Sequence, residues 1–112
     1  MVVTVERRAG AVIVRVTGEM DLPAAPLVRR RLQRAIAAAG GRTVVVDLTR
    51  VSFLDSSGLG VLLGGFKQCE RWRRAMVVVA GDRIRSLLEL AGIPRLMPVY
   101  RTLREALGTE KT

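Results

Sequence analysis

The residues best suited to do chemistry lie in one stretch, Val51 to Gly64, which reads V-S-F-L-D-S-S-G-L-G-V-L-L-G. Its polar cluster, Asp55-Ser56-Ser57-Gly58, sits where a loop enters an apolar-striped helix. Asp55 or Ser56 can accept hydrogen bonds from the first-turn amides, the ordinary work of a helix cap, whose loss costs about 1 kcal/mol. Three features exceed what a cap requires. Two adjacent hydroxyls stand where one cap suffices. Gly58, Gly60, Gly64 and Gly65 thin the helix, and each glycine inside a helix costs about 1 kcal/mol relative to alanine. That cost implies close approach of another surface, either the sheet beneath or a partner outside. Finally, the amides and dipole at a helix N-terminus favour negative charge. A phosphoserine there leaves the helix intact and adds about −1.5 to −2 charge to an exposed corner.

Other chemistries fail on spacing or on missing residues. Gly58-x-Gly60-x-x-x-Gly64 has one residue too many for a dinucleotide fingerprint. Gly60-x4-Gly65 is followed by Phe66-Lys67 and not by the Lys-Ser or Lys-Thr of a phosphate-binding loop. Ser56 as a catalytic nucleophile lacks a base, since the chain has no His and Lys67 is three turns down the helix. The absence of His also removes imidazole acid/base catalysis and His metal ligands, and the single Cys69 leaves no disulfide or Cys-cluster metal site. No cofactor motif and no metal site is expected, and the chain is not read as an enzyme.

The elements that must position the cluster follow from hydrophobic periodicity. At 112 residues the chain forms one domain, read as 1–108 with a frayed tail over 109–112. Val2 to Val5 and Val12 to Thr17 form a hairpin around Ala9-Gly10-Ala11, and Gly18 to Leu22 is a loop. A helix runs from Pro23 to Ala39, with Ala25, Val28, Leu32, Ala35, Ile36 and Ala39 on one stripe and Gly40-Gly41 ending it. Thr43 to Leu48 reads as a central strand buried on both faces, and Thr49 to Leu54 as a connection. The second helix spans Ser56 to Arg71, striped by Leu59, Leu62, Leu63, Phe66 and Cys69. Met76 to Ala80 is another buried strand. Asp82 caps a third helix from Arg83 to Ala91, Leu96 to Val99 is an edge strand, and Thr102 caps a last helical turn. The order β-β-α-β-α-β-α-β-α predicts an α/β domain, with a mixed sheet of four to five strands and about four helices.

At Val44 to Gly64 the pattern V-V-V-D-L-T-x-V-x-F-L-D-S-S-G-L-G-V-L-L-G resembles the bacterial anti-sigma factor antagonists of the STAS family (sulfate transporter and anti-sigma factor antagonist). Gly18 to Leu22, G-E-M-D-L, is similar to the family's G-E-L-D segment, and Leu87 to Ile93 to its late helix ending in glycine. The resemblance covers nearly the whole chain. It implies a STAS-like fold and a partner-switching regulator of transcription. The unphosphorylated antagonist binds an anti-sigma factor that is also a serine kinase, and a sigma factor is released. The kinase then phosphorylates the Ser after the Asp, here Ser56 with Ser57 as the lesser candidate, and a serine phosphatase resets the switch. Asp21 matches the acidic loop position near that corner, although its side chain equally suits a cap before Pro23. Asp21, Asp55, Ser57, Gly58, Leu59 and Gly60 form the expected partner surface, with Gly58 and Gly60 keeping the helix face narrow. The resemblance also implies a monomer when free.

Two other readings stand beside it. A second STAS role, as a subunit of a lipid-transport ATPase complex or another multi-protein complex, would use the same corner without phosphorylation. Nucleic-acid binding is raised by the net charge of 19 − 10 = +9 and by Arg29, Arg30, Arg31 and Arg34 on one helix. Against it, aromatics are 4% and no nucleic-acid-binding motif is visible. Glu6, Arg7 and Arg8 interrupt the apolar start, and the longest charge-free run, Ser56 to Phe66, falls short of the roughly 20 residues of a bilayer span. The expectation is therefore a cytoplasmic protein with no membrane partner.

Overall fold

The computed structural model describes residues 1–108, so the expected frayed tail, 109–112, lies outside the described residues. Strand β1 (Val2–Arg7) and strand β2 (Ala11–Met20) form the expected hairpin, and helix α1 (Ala25–Ala38) follows. Strand β3 (Thr43–Leu54), helix α2 (Ser56–Arg71), strand β4 (Met76–Val79) and helix α3 (Asp82–Leu90) come next. A 3-10 turn (Ile93–Arg95), strand β5 (Val99–Tyr100) and helix α4 (Leu103–Leu107) complete the described chain. The sheet order is β1-β2-β3-β4-β5, with β1–β2 antiparallel and the other three pairings parallel. This is the expected mixed α/β architecture, with five strands and four helices.

Each parallel step moves one strand further in the same direction. Crossovers of one hand then place every connecting helix on one face. The core obeys this rule: Val12, Val14, Val16, Val44, Val46 and Val78 pack with buried side chains of α1, α2 and α3. The alternate side chains Ala11, Ile13, Val45, Val77 and Val79 point the other way and are covered by Leu103, Ala106 and Leu107 of α4. Both faces of the central strands are therefore apolar. Thr102 closes α4 with a capping box, its hydroxyl accepting from the Glu105 amide at 3.1 Å.

The structure corrects several boundaries. Gly18 to Met20 belongs to β2 and Thr49 to Leu54 to β3, where a loop and a connection were expected. Between the pairs Arg15↔Asp47 and Glu19↔Phe53, β2 advances from 15 to 19, four residues, while β3 advances from 47 to 53, six residues. The two extra residues are bulges. They bring Leu48, Val51 and Leu54 all onto the core face, a spacing of three that does not look like a strand. Asp82 is the first residue of α3 and not its cap; Gly81 holds that position, and the Asp82 carboxylate pairs with Arg85 at 2.9 Å. The final edge strand is Val99–Tyr100 and not Leu96 to Val99, because the Leu96 and Met97 amides turn back to the Ile93 carbonyl.

The packed face of α2 is also rotated from the expected one. Gly58, Val61, Leu62, Gly65 and Cys69 are buried, while Leu59, Leu63 and Phe66 are only half-buried at its margin. Glycine rather than leucine marks the deepest line, since two helical positions lie too close to neighbours to carry a side chain. A Cβ on Gly65 would stand 2.7 Å from Leu32 Cδ2 and 3.3 Å from Met76 Sδ, whereas Gly60 and Gly64 face open space. Cys69 is fully packed, and burial pushes its thiol pKa up. Gly64→Ala should therefore stabilise the fold by about 0.5–1 kcal/mol. Gly65→Ala should destabilise it by about 1 kcal/mol or more. Urea denaturation of the two variants checks this, and shifts in the same direction would contradict the packing.

Candidate functional site

Strands β2 and β3 end together. Met20 pairs with Leu54, and the Asp55 amide donates to the Met20 carbonyl at 3.4 Å. One residue beyond this pair, each chain turns into a helix through an aspartate. Asp55, in extended conformation, is the N-cap of α2, and its Oδ1 accepts from the amides of Ser57 at 2.9 Å and Gly58 at 3.2 Å. Its carbonyl accepts from Leu59 at 3.0 Å. Asp21 does the equivalent work in the turn before α1, its Oδ1 accepting from the Ala24 amide at 3.1 Å and its carbonyl from Ala25 at 2.9 Å. Both acids sit at the carboxyl ends of parallel strands, where open α/β sheets place their binding crevices.

The cap is therefore Asp55, which leaves the serines free of that duty. Ser56 is exposed and Ser57 half-buried. Among the described residues neither hydroxyl is hydrogen-bonded to another protein group. The cluster thus separates into a structural carboxylate and an unengaged hydroxyl one residue later.

Gly58 does not present a narrow face outward. It is buried, and a Cβ there would stand 2.4 Å from Leu54 Cδ1 and 2.6 Å from the Met20 carbonyl oxygen. The close approach implied by this glycine is to the strand pair beneath. Gly60 is exposed with nothing near its missing side chain, so any narrowing of the outward face falls to Gly60 alone. Leu59 is half-buried against the core. Two exposed apolar residues flank the corner and were not singled out from sequence. Leu22, 70% exposed, follows Asp21, and Phe53, 48% exposed, precedes the Leu54–Asp55 turn. In an unbroken strand Phe53 would share the inward face of Val51, and the bulge between them turns it outward.

Asp55→Ala should cost about 1 kcal/mol, since it leaves two first-turn amides without their acceptor. Asp55→Asn should recover most of that loss, because an amide oxygen can still accept. Thermal and urea unfolding of both variants measure the difference.

The model for the STAS domain matches residues 2–106. An anti-sigma F factor antagonist of Paenibacillus polymyxa is 33% identical over 99 residues, covering 88% of this chain and 85% of that protein. An anti-sigma-B factor antagonist of Listeria monocytogenes is 35% identical over 105 residues, covering 92% and 90%. The crystal structure of an anti-sigma factor antagonist from Mycobacterium paratuberculosis superposes with a TM-score of 0.85 at 28% identity, covering 99% of this chain and 94% of that one. The Bacillus cell-fate determinant SpoIIAA in its phosphorylated form superposes with a TM-score of 0.71 at 26% identity, covering 96% and 97%. With the family pattern spanning almost every described element and the Asp-Ser-Ser-Gly corner at the end of its strand pair, this chain belongs to the STAS-domain family.

Proposed function

We propose that this chain is an anti-sigma factor antagonist whose binding is switched by phosphorylation of Ser56. One observation carries the reading. The Asp55 carboxylate takes the cap, so the Ser56 hydroxyl projects unengaged from an exposed corner at the start of α2. The naming of its relatives as anti-sigma factor antagonists supports the same role. Unphosphorylated, the chain binds an anti-sigma factor that is also a serine kinase, and the sigma factor is freed. Asp21, Asp55, Ser57, Leu59 and Gly60 surround the docking corner, and exposed Leu22 and Phe53 supply its apolar contact. Gly58 contributes from below, by letting α2 sit against Met20 and Leu54.

In the transfer, Ser56 Oγ bonds to the γ-phosphorus of ATP held by the kinase, and the bond from that phosphorus to the β–γ bridging oxygen breaks. ADP leaves, and the hydroxyl proton passes to a base of the kinase. This chain is the substrate and a regulator, not the catalyst. The phosphate then sits beside Asp55, whose Oδ1 already occupies the Ser57 and Gly58 amides. Those donors cannot absorb the new charge, so about −1.5 to −2 charge stays on the docking surface. Like charges facing each other across an interface cost several kcal/mol. At about 1.4 kcal/mol per tenfold, binding falls by a hundredfold or more. A serine phosphatase reverses the change. The regulator acts in the cytoplasm and is monomeric when free.

Ser56→Ala should bind the cognate kinase with near-normal affinity and take up no phosphate. Ser56→Glu should bind about a hundredfold more weakly. Calorimetry with the kinase and mass spectrometry after incubation with ATP test both. Phosphate found only on Ser57 would move the site by one residue, and wild-type affinity for Ser56→Glu would reject the switch.

A further inference from the structure

Strand β1 is the outer strand of the sheet, so one of its edges has no strand partner, and α1 packs beside it. Between the two lies a groove of about 300 Å³ lined by Val5, Arg7, Arg31, Arg34 and Ala35. Its floor is apolar, with Val5 36% exposed, and its rim holds three guanidiniums. Among the described residues none of the three has an ion-pair partner. The nearest carboxylate in sequence, Glu6, lies on the other face of β1 and is held by Arg8 at 2.7 Å and Arg15 at 2.6 Å. Those two arginines hold its pKa below the usual carboxylate value. The groove is thus uniformly positive beside backbone groups that a further strand can pair with.

We infer that this groove binds an extended acidic peptide segment of a partner protein, added to the sheet along β1. In a strand, every second side chain faces the same way. A segment with acidic residues at alternate positions would set them toward Arg7, Arg31 and Arg34, while its main chain pairs with β1. Guanidinium and carboxylate suit each other through paired, charge-assisted hydrogen bonds. A second copy of this chain is disfavoured by its own charge of +9, which would bring like charges together. Nucleic acid is disfavoured because no aromatic ring lines the groove for a base to stack on. The inference is independent of Ser56, and its test needs neither the kinase nor ATP.

The test uses the unphosphorylated full chain and a fluorescein-labelled octapeptide of alternating Glu and Val. The same peptide with Gln for Glu and a labelled single-stranded octanucleotide serve as comparisons. Fluorescence anisotropy should show saturable binding of the Glu peptide that weakens as salt is raised. The double variant Arg31→Glu with Arg34→Glu should weaken it at least about tenfold, and Arg83→Glu with Arg95→Glu, on exposed positions elsewhere, by less than about twofold. In amide spectra of the isotope-labelled chain, the largest shifts should fall in Val2–Arg7. No binding of the Glu peptide, tighter binding of the oligonucleotide, equal loss in both double variants, or peptide-induced self-association without shifts in β1 would each overturn the proposal.

Discussion

The Asp55 carboxylate governs the corner. By accepting from Ser57 and Gly58 it starts α2 directly after β3, with itself as the single residue between them, and this leaves Ser56 as the first helical residue with its hydroxyl unengaged. Had Ser56 been the cap, its oxygen would be committed to an amide and turned inward. The cap in turn depends on the strands beneath it. Asp55 stands where it does because its amide bonds to the Met20 carbonyl, which lies directly across from Leu54. That contact is close enough to forbid a side chain at Gly58. A carboxylate, a carbonyl and a missing side chain therefore act together to leave both serine hydroxyls uncommitted, with Ser56 the more exposed.

The order of elements was readable because most of them follow a single period. The buried strands are continuous apolar runs, and α2 was legible from Ser56 to Arg71 because its polar start and its Arg-rich end frame an apolar helix. The second half of β3 was not legible. Two bulges place Leu48, Val51 and Leu54 on one face at intervals of three, which breaks the strand period of two. The same irregularity exposes Phe53, so the apolar side of the corner was hidden by the feature that creates it. The inward face of α2 was misread for a related reason. Hydrophobic patterning searches for large side chains, and the closest contacts of this helix are made by Gly58 and Gly65, which have none.

Asp21 shows how local and tertiary roles coincide. Its side chain closes the turn before α1, as a capping residue would. It also stands one residue past Met20, just as Asp55 stands one residue past Leu54. Two parallel strands of matched end necessarily release their chains at the same edge of the sheet. Sequence alone offered the cap and the corner as alternatives, whereas the pairing of β2 with β3 allows both at once.

Charge works at two scales in this molecule. The excess of arginine is spread over α1, the outer strand and the turn after α2, where Arg74 donates to the Ile36 and Ala37 carbonyls and lies 5.1 Å from the Trp72 ring centre. The stretch from Ser56 to Phe66 contains no charged residue, and acidic Asp55 precedes it. Adding about −2 to a chain of +9 leaves it near +7, so a phosphate on Ser56 would barely alter the field a partner meets at a distance. Screening limits the reach of one exposed charge to about 8–10 Å at physiological salt. The Asp55 carboxylate, on the residue next to Ser56, lies within that radius. Under the proposed switch the long-range field of a basic molecule is nearly the same in both states, and the change is confined to one residue at the uncharged start of α2.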